Sequence, residues 1–188
     1  MTDEELYLHF LSEGSSDDIQ ELLKRYRESL TLFIYGYVHN MDDAEELMLD
    51  AFAVAASGTA RYHRKSSFKT WLFAIAKNQA FHFLRKQKQR RERFYEEIPS
   101  AEGASLASSD DMPEMKLLQE EKNRQLYAAL ERVHPDYRQA LYLIYFEEMS
   151  VEEAGQIMKK SKNQMYNLVH RGKQALKEKL EELGASEV

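Results

Sequence analysis

The 188-residue chain has no cysteine, only three prolines and seven glycines, and a single tryptophan. Without cysteine there is no disulfide framework, no thiolate nucleophile and no zinc site built on sulfur, which suits a reducing cytoplasm. So little glycine and proline leaves few breaks, and the abundance of Leu, Ala, Glu, Lys and Gln favours helix almost throughout. No alternating strand pattern is present. No stretch approaches the ~18 uninterrupted apolar residues of a membrane span. The N-terminal MTDEELYLHF is acidic and too short in its apolar run for a signal peptide. The expectation is a soluble, cytoplasmic, all-α protein with no direct membrane insertion.

Enzymatic signatures are equally scarce. There is no Walker-type glycine loop, no G-x-S-x-G and no H-E-x-x-H. The six histidines are scattered, and one E-x-x-H, Glu131 to His134, stands alone where a di-iron bundle needs two plus further carboxylates. No catalytic residue, metal or cofactor is expected.

What the chain does have is charge in blocks. Residues 1–56 carry 3 basic and 13 acidic side chains, and residues 57–95 carry 11 and 1. Residues 96–158 then hold 5 and 14, residues 159–179 hold 7 and 1, and the tail from 180 holds three acids and no base. The net charge of -6 therefore hides two basic islands. Because screening cuts off charges beyond about 10 Å, each island presents its own field to an anion.

Helices are expected at 3–13, 17–38, 42–56, 67–95, 114–133, 136–147, 150–158 and 161–182. Asp42 with Glu45, Ser150 with Glu153 and Ser161 with Gln164 have capping-box spacing, and Pro135 fits a first helical turn after His134. Between Pro99 and Pro113 the run PSAEGASLASSDDMP is small, acidic and too poor in apolar groups to fold. It divides the chain into a domain at 1–95, a flexible acidic linker at 96–113 and a second helical domain at 114–188.

On a helix at 67–95, Phe68, Leu72, Ile75, Ala76, Gln79 and Phe83 share a core face, with Trp71 and His82 at its edge. Phe73, Lys77, Phe81 and Leu84 fall on the opposite side. Either the helix is buried on both sides, or the second side is a platform where bases stack while cations neutralise phosphates. Upstream, Arg61, Tyr62, His63, Arg64 and Lys65 form an irregular segment able to receive an unstacked base. Downstream, RKQKQRRERF suits contact with a phosphate backbone. The second island, MSVEEAGQIMKKSKNQMYNLVHRGKQALKEKL, has the shape of a helix-turn-helix. Val151, Ala154 and Ile157 face inward, the chain turns at Met158–Lys160, and Met165, Leu168 or Val169, Gly172 and Leu176 make an inner stripe. Lys162, Asn163, Gln164, Tyr166, Asn167, Arg171 and Lys173 face out, as base and phosphate contacts in a major groove require. A helical hairpin with a charged face is the plainer alternative.

Taken together, these stretches resemble the bacterial RNA polymerase sigma factors of the extracytoplasmic-function group. DDAEELMLDAFAVA (42–55) is similar to that family's D-A-E-D-L-x-Q-x-x-F helix, and SSFKTWLFAIAKNQAFHFLRKQKQRR (66–91) to its S-F-x-T-W-L-x-x-I-A-x-N segment. LYAALERVHPDYRQALYLIYFEEMSVEEAGQIM resembles the start of its fourth region. The resemblance implies a promoter-specificity factor for transcription initiation. It would bind core RNA polymerase, docking on the clamp helices of the largest subunit through Asp43, Glu45, Glu46, Leu47, Asp50 and Phe52, with the flap region as a further partner surface. Arg61, Tyr62, His63, Arg64, Lys65 and Ser66 would capture a flipped base of the −10 element. Lys77, Asn78, Arg85, Lys88, Arg90 and Arg91 would hold its duplex edge and backbone. Lys160, Ser161, Lys162, Asn163, Gln164, Tyr166, Asn167, Arg171 and Lys173 would read the −35 element. Trp71 is expected in the core. The resemblance also implies a membrane-bound anti-sigma partner. The rival reading is a stand-alone helix-turn-helix regulator, which accounts for the second island and leaves the first unexplained.

Overall fold

The computed structural model describes residues 1–97 and 121–184, with side chains described for 1–93 and 125–184. Among these residues the structure is helical, with no strand. The first half holds α1 (Asp3–Glu13), α2 (Ser16–Val38), α3 (Met41–Ala56) and α4 (Phe68–Glu97). The second holds α5 (Glu121–Glu131), α6 (Pro135–Leu141), α7 (Val151–Met158) and α8 (Lys162–Glu182). Helix α4 continues to Glu97, so the linker expected at 96–113 begins at least two residues later. Residues 98–113 of that linker lie outside the described residues, as do residues 114–120 of the helix expected at 114–133.

The helix ends follow local chemistry. Ser150 with Glu153 and Ser161 with Gln164 form capping boxes, each serine accepting from the backbone N–H three residues on while the later side chain accepts from the serine N–H. Thr2 and Glu5 make a further box. The start of α3 differs from expectation: Asn40, not Asp42, is the cap, its side chain accepting from the Asp43 N–H at 2.9 Å. Asn40 carries the required acceptor two residues earlier, which leaves Asp42 and Asp43 in the first turn to meet the positive end of the helix dipole. His134 caps α6 through its ring, accepting from the Asp136 N–H at 3.2 Å, and Pro135 occupies the first turn.

The first half packs around Tyr7, Phe33 and Phe68, each no more than 1% exposed. Tyr7 lies 5.0 Å from Phe68 and 5.1 Å from Trp71, ring centre to ring centre, and its hydroxyl donates to the Ala55 carbonyl at 2.9 Å. Trp71 is half-buried within this aromatic group.

The helix expected at 136–147 breaks in the middle. Helix α6 ends at Leu141 and Tyr142–Phe146 forms a π-helical turn, closed by the Glu147 N–H on the Tyr142 carbonyl at 3.1 Å. The wider turn carries Tyr142 toward α2, where its hydroxyl donates to the Ser29 carbonyl at 2.9 Å, while Leu143 is wholly buried. A 3.6-residue pattern cannot anticipate this, because the reason lies on another helix.

The two halves pack together, α4 against α7 and α2 against α6, and a single hydrophobic cluster runs from Leu6 through Phe73 to Ile157 and Met165. This arrangement decides the question left open for α4. Phe73 is wholly buried while Phe81, two turns on, is 44% exposed, so on that side the first turns of α4 are core. It is not an open stacking platform there.

Candidate nucleic-acid interface

Helices α3 and α4 form a groove of about 510 Å³. Asp43, Glu46 and Asp50 line one wall, Lys86 and Arg90 the other, with Leu47 and Phe83 between them. Negative and positive walls therefore face each other across this groove. Glu45, Glu46 and Asp50 are exposed and Asp43 half-exposed. Leu47 and Phe52 are not surface groups: they are 6% and 5% exposed and belong to the core. The large apolar side chain exposed on α3 is instead Leu49, at 54%, which the sequence reading missed because it sits on the polar side of the helix.

Between α3 and α4 the loop presents Arg61, His63, Arg64 and Lys65 to solvent, with Ser66 half-buried. Arg64 takes a positive φ of 58°, so the chain turns sharply at the centre of this cationic segment. Tyr62 holds the loop in place. Its ring packs 5.2 Å from Trp71 and 5.8 Å from Tyr7, and its hydroxyl donates to the Ser66 carbonyl at 2.8 Å. It is an anchor more than a free stacking face.

On α4, Asn78, Arg85, Lys88, Arg90 and Arg91 are exposed. Lys77 is half-buried, and its ammonium donates to the Ile157 carbonyl of α7 at 3.0 Å while lying 5.3 Å from the centre of the Phe81 ring. Burial lowers its pKa first, and Lys159 and Lys160 lower it further against a raising contribution from Asp136. Phe81, 44% exposed, is the part of the expected platform that reaches solvent.

In the second half, α7 and α8 form the helix-turn-helix. Lys159 supplies the left-handed residue of the turn at φ 56°, and Gly155 allows the tight passage: a Cβ there would lie 2.9 Å from the Lys160 carbonyl oxygen. Met165 and Gly172 face inward as the stripe requires, and Leu168, Val169 and Leu176 are half-buried. Ser161, Lys162, Asn163, Gln164, Tyr166, Asn167, Arg171 and Lys173 are all exposed, clustered on the first three turns of α8. Lys160 is half-buried near Asp136, at 3.8 Å. Lys162 pairs with Glu152 at 2.5 Å, which raises its pKa and lowers that of Glu152. The Lys173 ammonium lies 4.7 Å from the centre of the Tyr145 ring.

The isolated E-x-x-H has structural duties. Glu131 accepts from the Tyr35 hydroxyl at 3.1 Å, and His134 caps α6.

Both halves match family descriptions, Sigma-70 region 2 over residues 22–90 and Sigma-70 region 4 over residues 123–176. The chain is similar to the RNA polymerase sigma factor CarQ of Myxococcus xanthus, 31% identical over 171 residues that cover 91% of this chain and 94% of the relative. The chain belongs to the RNA polymerase sigma factors. It is of the extracytoplasmic-function type, similar also to the sigma factor SigW of Bacillus subtilis, 25% identical over 92% of this chain and 94% of that one. The fold is shared with the sigma factor RpoE solved with the anti-sigma factor NepR from Bartonella quintana. That match has a TM-score of 0.64 and 22% identity, and covers 87% of this chain and 97% of the other. Because the first half of this sigma factor matches as well as the helix-turn-helix, the stand-alone regulator reading loses its ground.

Proposed function

We propose that this sigma factor engages core RNA polymerase through the exposed acids of α3, reads the −35 element with the first turns of α8, and grips the melted −10 strand with the 61–66 loop and the cations of α4. The observation that carries the proposal is the sorting of charge by element, acids on α3 and cations on the 61–66 loop, α4 and α8. Acids line one wall of the α3–α4 groove, and cations with an exposed aromatic occupy the loop, the outer face of α4 and the front of α8. Separating promoter strands costs a few kcal/mol for each disrupted base step. Cationic and aromatic groups that hold the exposed strand offset that cost, while the acidic surface serves a protein partner. No step needs a catalytic residue or a cofactor.

The proposed site of action is the cytoplasm, where the polymerase works; among the described residues no helix is long and apolar enough to cross a membrane. The proposed partners are the clamp helices of the largest polymerase subunit and the flap region, promoter DNA, and an anti-sigma protein. The anti-sigma proposal is supported by the RpoE relative solved with one, and membrane attachment of that partner rests on the family resemblance.

The test is size-exclusion co-elution with bacterial core polymerase, comparing the wild-type chain with Asp43→Lys/Glu46→Lys. Co-elution lost in the variant supports the assignment. A folded, monodisperse wild-type chain that elutes apart from the polymerase refutes it.

A further inference from the structure

The segment that joins α3 to α4, residues 57–67, contains neither helix nor strand. Loops are more mobile than the elements they join, and a site built on one is loose unless neighbouring side chains hold it. Helix α1 fastens this loop at both ends. Where the chain leaves α3, the Tyr7 hydroxyl donates to the Ala55 carbonyl at 2.9 Å. Where it enters α4, the Glu4 carboxylate accepts from the Phe68 N–H at 2.8 Å. Between the two, the Tyr62 ring meets the Tyr7 ring edge-on.

The bond at Phe68 completes the start of a helix. The first N–H groups of any helix lack partners within it. Ser67 supplies the local part of the cap, its hydroxyl accepting from the Thr70 N–H at 3.2 Å. Glu4 supplies the rest from another helix, and its charge also meets the positive end of the α4 dipole. Tyr7 is 1% exposed, so water cannot replace its bond to Ala55. Helix α1 is itself anchored: Asp3 pairs with Arg25 of α2 at 2.7 Å and accepts from the Tyr26 hydroxyl. Neighbouring acids thus reach different helices, Asp3 to α2 and Glu4 to α4. Helix α1 lies ahead of residues 22–90, which match the region 2 description, and the proposed function gives it no task.

We infer that α1 is a bracket that sets the shape of the base-capture loop, with Glu4 and Tyr7 as its positioning residues. This rests on the proposed assignment of the 61–66 loop to a base of the −10 element. The bracket governs discrimination more than affinity. Arg61, His63, Arg64 and Lys65 are exposed and attract phosphates whatever the exact loop shape. Telling one base from another requires donors and acceptors held in place, because phosphate contacts carry no sequence information.

Four variants of the full chain test this. Glu4→Ala removes the acceptor at Phe68, Glu4→Gln keeps one without the charge, and Tyr7→Phe removes the hydroxyl but keeps the ring. Glu5→Ala is the control: it loses only the local bond from the Thr2 N–H and so weakens α1 without touching the loop. The chain has no native cysteine, so a nitroxide on His63→Cys reports loop motion in each background. The unlabelled proteins, reconstituted with bacterial core polymerase, are offered a pool of single-stranded DNA of randomised sequence. Sequencing of the captured strands gives base enrichment, fluorescence anisotropy with the same pool gives total affinity, and thermal unfolding confirms that each variant is folded.

Glu4→Ala is expected to sharpen the nitroxide spectrum and to lower enrichment of the preferred base about tenfold, the worth of one hydrogen bond to a charged group. Tyr7→Phe should act in the same direction, Glu4→Gln should recover most of the loss, and total strand affinity should hold throughout. Parent-like loop motion in folded Glu4→Ala and Tyr7→Phe would overturn the inference. So would a loosened loop that selects bases as the parent does, or a Glu5→Ala control that loses as much discrimination as Glu4→Ala. A parent holoenzyme that selects no base overturns the −10 assignment and the inference with it, and that failure is seen before any variant is compared.

Discussion

Lys77 and Phe73 lie one helical turn apart on α4, and at the residue scale they show how burial divides a face. Phe73 is wholly enclosed, 5.1 Å from the Phe33 ring centre. Truncation to alanine is expected to cost about 3–5 kcal/mol, read as a lowered denaturation midpoint with unchanged slope. Lys77 places its ammonium over the Phe81 ring and on the Ile157 carbonyl. With the exposed Asn78 it is expected to matter for DNA more than for polymerase. Lys77→Ala/Asn78→Ala should still co-elute with the polymerase yet open promoter DNA less well; permanganate footprinting of unpaired thymines that matched wild type would remove both residues from the role. The pattern of aromatic and basic residues made both visible in the sequence as candidates. Periodicity could not say which would be covered, since the covering atoms belong to distant residues, Phe33 for Phe73 and Ile157 for Lys77.

At the scale of elements, the helix-turn-helix was legible because its signals are local. Serine caps, paired Glu or Gln three residues on, and inward Ala154, Ile157 and Met165 are all set within a few residues of one another. Ser161→Ala removes the cap that accepts from the Gln164 N–H and is expected to lower stability by about 1 kcal/mol. The same change frays the turns that carry Lys162, Asn163 and Gln164, so weaker duplex binding should accompany the smaller thermal midpoint. Arg171→Ala leaves the cap intact. If Arg171 meets a phosphate, the change should weaken binding evenly across promoter sequences and reduce the salt dependence by about one counterion. The π-helical turn at Tyr142–Phe146 was not legible at this scale. It depends on the reach of Tyr142 to Ser29 and on the enclosure of Leu143.

For the whole molecule, the contact between halves introduces a pH dependence. His39 closes α2 in a left-handed conformation, and its Nε2 lies 3.3 Å from an Arg138 nitrogen. Burial lowers its pKa below the ordinary 6.5, Arg138 lowers it further, and Glu131 partly opposes them. The Tyr35 ring packs beside it, its own hydroxyl pushed up to about 12 by burial and by Glu131. Above pH 6.5 the folded and unfolded states both hold neutral His39, and the contact is undisturbed. Below 6.5 the unfolded or opened state takes the proton first, so stability is lost as pH falls through the lowered folded value. His39→Asn tolerates the same backbone conformation and should abolish that part of the acid sensitivity, measured by denaturant unfolding between pH 5 and 7.5. His9 has the opposite sign, because Asp18 at 2.5 Å raises its pKa: its contribution is complete below 6.5 and fades as pH rises through the raised value. His9 lies between α1 and α2, so it shifts both curves alike and leaves their difference to His39.

The sequence by itself determined the helical class, most helix limits, the two basic islands, and the motifs that carry membership of the sigma family, because each depends on neighbours within a turn or two. Only the tertiary structure decided that the first turns of α4 are covered on both sides, that Leu47 and Phe52 are interior while Leu49 is exposed, and that Lys77 is held by α7. Those outcomes depend on which surfaces meet across the chain. Helical periodicity places a side chain on a face, but the free energy of burying it is set by whatever packs against that face.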